Sequence, residues 1–134
     1  FFGVDGMDGI LTVEGFDTTL AEGVILLTPF NADAEDDATK SFVAKYQEKY
    51  GEIPNQFAAD AYDCVYALFN AMKEAKAAGK DIKPGMDASE LCDILKEKFN
   101  SGFSYSGNTG DNIKWQSTGF VDKEALVFVI KEAD

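Results

Sequence analysis

Phe1-Phe2-Gly3-Val4-Asp5-Gly6 reads as a buried strand running into a glycine turn that carries one carboxylate. Open α/β sheets present groups to a ligand in this way, with an acid projected from a turn at the open end of a strand. A second reading of Asp5 stands beside the first: a turn acid that bonds neighbouring backbone amides. Further along, Val24-Ile25-Leu26-Leu27 is an unbroken apolar run between Gly23 and Thr28-Pro29, which suits a strand covered on both faces.

Helical signals fill the middle of the chain. The acidic stretch Asn31 to Asp37 reads as a loop and then as the negatively charged first turn of a helix. Phe42, Val43, Tyr46 and Tyr50 follow at helical spacing, and Gly51 supplies the stop. Pro54-Asn55-Gln56 opens the longest helix, expected to run to about Ala78. Its apolar stripe is read as Phe57, Ala61, Cys64, Val65, Leu68 and Met72. Asp87 and Glu90 then form a capping-box pattern ahead of Leu91, Ile94, Leu95 and Phe99. Beyond them, Phe103-Ser104-Tyr105 and Ile113-Lys114-Trp115 alternate about the turn Gly107-Asn108-Thr109-Gly110, and Ala125 to Ile130 has the unbroken apolar character of a central strand. Helix-rich stretches between buried strands give an α/β fold.

Composition narrows the function. The 134 residues carry a formal net charge of −12, which repels nucleic acid and anionic membrane surfaces. No stretch is apolar for the roughly 20 residues that a membrane span needs. His is absent, removing the usual general base and the commonest metal ligand. Cys64 and Cys92 sit within helical patterns and are expected as buried free thiols, with a helix-to-helix disulfide as the lesser reading. An EF-hand placed with Gly9 at its sixth position puts Val4, Gly6 and Gly15 where oxygen ligands are needed, so no calcium site is expected. Neither a nucleophile elbow nor a glycine-rich phosphate cradle occurs. For Phe57 to Asp63 the plain reading is the start of an amphipathic helix, with Asp60 favoured by the helix dipole.

Several of these segments occur together in a particular order: Gly3-Val4-Asp5-Gly6, Leu27-Thr28-Pro29-Phe30, Phe42-Val43-Ala44-Lys45-Tyr46, Tyr50-Gly51-Glu52-Ile53-Pro54 and Phe57-Ala58-Ala59-Asp60-Ala61-Tyr62-Asp63. Followed by Gly107-Asn108-Thr109-Gly110 and a Lys-flanked apolar strand, they make nearly the whole chain resemble the C-terminal portion of the type I periplasmic binding proteins. The most similar branch is that of the branched-chain amino-acid ABC importers. The resemblance implies part of a two-lobe α/β fold with Rossmann-like lobes, in which a ligand is trapped at the hinge. Residues 1–31 would end the C-terminal lobe, residues 32–118 would supply helices and strands of the N-terminal lobe after a crossover near Pro29 to Asn31, and residues 119–134 would return.

Asp5 falls on the position of the family's acid that binds the ligand's α-ammonium. Phe57, Ala59 and Asp60 would lie near the ligand's side chain in the opposing lobe. The implied role is a solute-binding protein at the periplasmic or extracellular face of the cell membrane. It would carry an amino acid, branched-chain or similarly aliphatic, to the membrane permease of an ABC importer. Catalysis, cofactor, metal, nucleic-acid partner and membrane insertion by this segment are not expected. A ligand-sensing receptor domain of the same fold is the alternative.

Overall fold

The structure, a computed structural model, describes residues 1–131, Asp5 by its backbone alone. In chain order the elements are β1 (Phe2–Gly3), β2 (Ile25–Thr28), α1 (Asp37–Tyr50), α2 (Gln56–Ala77), α3 (Ala88–Asn100), β3 (Ser104–Gly107), β4 (Gly110–Trp115), β5 (Val121–Asp122) and β6 (Leu126–Val129). They form two compact units. One comprises Phe1–Asp60 with the described residues from Glu124 onward, the other Ala61–Lys123, so the boundary falls inside α2. Among the described residues no helix is long and apolar enough to cross a membrane.

In the first unit the strand order is β1-β2-β6. β1 runs parallel to β2, with Gly3 opposite Leu26. A Cβ on Gly3 would lie 2.6 Å from Met7 Sδ and 2.9 Å from a Leu26 methyl, so a larger residue there would require both of these side chains to shift. β6 is antiparallel to β2, pairing Val129 with Ile25 and Leu126 with Thr28. The expected central strand at Ala125 to Ile130 is therefore an edge strand of this sheet. Its continuous apolar run reported hydrophobicity and not rank in the sheet, and Val127 and Val129 are exposed.

α1 begins where the Asp36 carboxylate accepts the Thr39 N–H at 2.9 Å and ends at Gly51, whose φ of 77° turns the chain out of the helix. The bonds from Thr39 hold the Asp36 carboxyl below its ordinary value. Phe42 of α1 meets Phe30 edge-on, ring centroids 5.9 Å apart, and the two close a core around the fully buried Ala59.

α2 does not bury the face that its hydrophobic pattern indicated. Ala59, Asp63, Ala67, Ala71 and Ala75, each four residues from the next, are buried, whereas Phe57, Val65, Leu68 and Phe69 are exposed. Small side chains let a helix approach its neighbours closely, and the larger stripe offers bulk where the described chain supplies no cover. Cys64 lies with that stripe, and Cys92 is on the outer face of α3. Both thiols are free and exposed, which corrects the expectation of burial.

In the second unit, α3 is capped as its sequence indicated: the Asp87 carboxylate accepts the Ser89 and Glu90 N–H groups at 2.8 and 3.3 Å. Phe99 at its far end packs edge-on against Trp115 and Phe103, at 4.7 and 5.1 Å between centroids. β3 and β4 form a hairpin through Asn108 and Thr109, and β5 pairs antiparallel with β4.

One carboxylate holds that hairpin to α2. Asp63, 5% exposed, accepts the Asn108 N–H at 3.0 Å and both the N–H and hydroxyl of Thr109 at 2.8 Å. The Tyr105 hydroxyl lies 3.4 Å away, and burial, then the Asp63 charge, push its phenol up to about 12. Lys123 donates to the Thr109 hydroxyl at 3.0 Å. A side chain at Gly107 would overlap the Asp63 carboxylate, so this turn needs glycine for space.

Candidate functional site

The acidic turn sits at the carboxyl end of β1. Asp5–Met7 is a single 3-10 turn closed by the Met7 N–H on the Val4 carbonyl at 2.9 Å. Asp5 opens it, and the position of its side chain lies outside what the structure describes. The turn delivers the next acid, Asp8, to the start of α2, where its Oδ2 accepts the Gln56 N–H at 2.5 Å. Gly9 follows with φ 81°, in the left-handed region that glycine enters freely, and a second 3-10 turn occupies Ile10–Thr12. The Thr12 hydroxyl and N–H both return to the Gly9 carbonyl, at 2.8 and 2.9 Å, which fixes the loop without outside help.

Helix starts leave their leading N–H groups unsatisfied within the helix. At α2 two acceptors meet them. Asn55 Oδ1 takes the Ala58 N–H at 3.1 Å as a local cap, and Asp8 takes that of Gln56 from 48 residues away. Sequence reasoning tried Asp8 only against a calcium loop. The available signal was that Asp5-Gly6-Met7-Asp8-Gly9 carries two acids, three residues apart, in one glycine-rich turn.

A cavity of about 630 Å³ lies within the first unit. Its floor includes Leu26 and Thr28 of β2 and Phe128 of β6, and its walls include residues 8–12, which follow β1, and residues 31–33, which follow β2. The loops after the two parallel strands thus share one hollow. Open α/β sheets hold ligands at such carboxyl ends. Asp8, Asp33 and Glu52 line it against one lysine, Lys131, so it attracts a positive group more than a negative one. Tyr46 also faces it, its phenol raised above the ordinary value by burial first and by the Glu52 carboxylate second.

The other sequence-derived candidates lie just past the cavity on α2. Phe57 is half exposed on the first turn, Asp60 is partly buried, and Ala59 is enclosed by Phe30 and Phe42 in the core. None of the three lines the cavity, whose wall reaches Asn55, two residues before Phe57. Among the described residues no cluster of potential metal ligands occurs.

A family model described as periplasmic binding protein matches residues 6–130. No curated protein sequence matches the chain. Solved structures share its fold. A leucine binding protein from Thermotoga maritima aligns with a TM-score of 0.65 at 22% identity, over 97% of this chain and 33% of its own. A Rhodospirillum rubrum protein assigned to branched-chain amino acid ABC transport aligns at 0.63 and 26% identity, over 99% of this chain and 35% of its own. A solute binding protein of an ABC transporter from Rhodopseudomonas palustris, in complex with 3,4-dihydroxybenzoic acid, aligns at 0.70 and 22% identity, over 96% and 31%. The chain spans about a third of the length of each.

Proposed function

The chain belongs to the periplasmic binding protein family, and on that premise we propose that it is the portion of an extracytoplasmic solute-binding protein that recognises the ammonium group of an amino acid for an ABC importer. The observation that carries this reading is the acidic turn at the carboxyl end of a parallel strand, next to a cavity whose wall holds three carboxylates and one lysine. The Thermotoga relative is a leucine binding protein and the Rhodopseudomonas relative holds an aromatic acid. Both ligands have a carboxylate, but only leucine adds an ammonium, and an acidic wall favours the ligand that brings a cation.

In this reading Asp5 pairs with the ammonium. Phe57 and Asp60 flank the ligand's side chain from α2, and Ala59 acts from behind them as the packed base of that turn. A charge-assisted hydrogen bond gains strength as closure expels water. Residues 1–31 and the β6 segment form one lobe, and the helices with β3, β4 and β5 the other. The two separate three-stranded sheets, β1-β2-β6 and β3-β4-β5, support a division of the strands between two lobes, although α1 and the start of α2 cluster with the first compact unit. The protein performs no catalytic step: it captures solute by closure and hands it to a membrane permease.

Calorimetric titration of the full-length protein with leucine, isoleucine and 3,4-dihydroxybenzoate tests the reading. Leucine or isoleucine should bind tightly, and Asp5→Asn should weaken them by about 30- to several thousand-fold, the range for roughly 2–5 kcal/mol from a desolvated charge pair. The melting temperature should hardly change. Tight binding of the aromatic acid alone, or unchanged amino-acid affinity with a lowered melting point, would overturn it.

A further inference from the structure

We propose that the outward face of α2 is the seat of an apolar layer formed by the rest of the full-length polypeptide, so that this helix is an interior element of the complete protein. The inference rests on the reading above that these residues are a portion of a longer solute-binding protein.

Within the second unit α2 has two apolar faces. Ala67, Ala71 and Ala75 are buried, whereas Val65, Tyr66, Leu68 and Phe69 are 65, 43, 43 and 56% exposed. Ala67 lies two residues from both Val65 and Phe69, about 200° around the helix, so the bulky face is opposed to the one already covered. Tyr62 and Tyr66 rest on one another at its edge, ring centroids 4.5 Å apart. A helix that is apolar all round belongs to an interior. α3 shows the contrast: none of Leu91, Ile94, Leu95 and Phe99 is exposed, and its outer face carries Asp93, Lys96 and Glu97.

Charge identifies the kind of cover. From Ala61 to Met72 the only charged side chain is Asp63, which is buried against the hairpin, and the first exposed charge is Lys73. A surface that docks partners transiently is about as polar as the rest of a protein's surface, whereas a permanent interface resembles a core cut in half. A second copy would bring the same net charge of −12, which opposes self-association. About two thirds of the length of each aligned relative has no counterpart in these residues, enough chain to supply the layer from the same polypeptide. The cover is therefore apolar, permanent and intramolecular.

The test uses the full-length protein with Val65→Cys as a probe in a Cys64→Ser, Cys92→Ser background; Cys64 points about 100° away from Val65, beyond the edge of this face, and is removed so that the probe reacts alone. Light scattering gives the mass, and N-ethylmaleimide in native buffer and in urea gives the reaction rate of the thiol. The expected result is a monomer whose native thiol reacts at least about 100-fold more slowly than the unfolded one, because it must await local opening. Val65→Asp gives a second readout. It should lower the melting temperature by more than about 10 °C or prevent folding, where an open surface would permit a change of only about 2 °C. A monomer whose native thiol reacts as fast as the unfolded one has this face open, and the proposal is overturned. Protection found in a dimer and lost on dilution to monomer assigns the face to a second copy and overturns it as well. Calorimetric titration of the same protein with leucine separates the two readings: protection without amino-acid binding still supports the covered face and removes the functional reading alone.

Discussion

Replacing Asp63 should unfasten the hairpin from α2, and the loss can be worked from its bonds. Two backbone N–H groups and one hydroxyl converge on this carboxylate at 2.8 to 3.0 Å, with Tyr105 at 3.4 Å. Asp63→Ala leaves all of these donors without their acceptor in a site that is 5% exposed. An unsatisfied buried donor costs roughly 1–3 kcal/mol, and the hydroxyl donors can rotate to other acceptors, so the two N–H groups dominate and the total is about 3–5 kcal/mol. Asp63→Asn is milder. Its amide oxygen can serve Thr109 on the Oδ2 side while its NH2 group faces the Asn108 N–H, so one donor is lost, about 1.5–3 kcal/mol.

Thermal unfolding followed by far-UV circular dichroism measures both variants, and the alanine variant should melt roughly 10–20 °C lower. Gly107→Ala adds a second axis, because its new methyl would overlap the Asp63 carboxylate and crowd the Tyr105 ring at 2.5 Å. It should be strongly destabilising alone and less so when combined with Asp63→Ala, which relieves the carboxylate overlap and leaves that with Tyr105. Additive effects in that cycle, or an Asp63→Asn protein as stable as wild type, would refute the fastening role.

Cys64 and Cys92, both free and exposed, should each be alkylated by N-ethylmaleimide in the native protein; mass spectra showing protection until denaturant is added would contradict their placement. The Tyr105 phenol, raised to about 12 from 10.0, holds its proton more tightly folded than unfolded. Its contribution is therefore complete below pH 10 and lost as pH rises through 12, and Tyr105→Phe should flatten the fall in melting temperature over that window.

Most of the helical architecture was legible because its signals are local. Asp36 and Asp87 announce their helices by side-chain bonds within three residues, and Gly51 ends α1 by a backbone angle that other residues resist. The start of the long helix at Gln56 was legible for the same reason. What sequence could not supply was the partner of each face. On α2 the bulky stripe through Val65 and Leu68 looked like the buried one, yet the alanines and Asp63 are inside, since burial depends on what approaches and not on hydrophobicity alone. β6 misled similarly, as an apolar run does not state how many neighbours a strand has. Within the candidate site, the glycine turn at Asp5 was readable from its pattern, while the reach of Asp8 to Gln56 spans 48 residues and leaves no local trace.

The sulfur of Met7 rests against Gly3, close enough that even a methyl group on the glycine would collide with it. Met7 is the last residue of the turn that Asp5 begins, and it directly precedes Asp8. Conversion of this thioether to a sulfoxide would place a larger, polar group at that contact. The packing of the acidic turn against β1 is thus sensitive to oxidation at one sulfur, on a residue that carries no charge of its own.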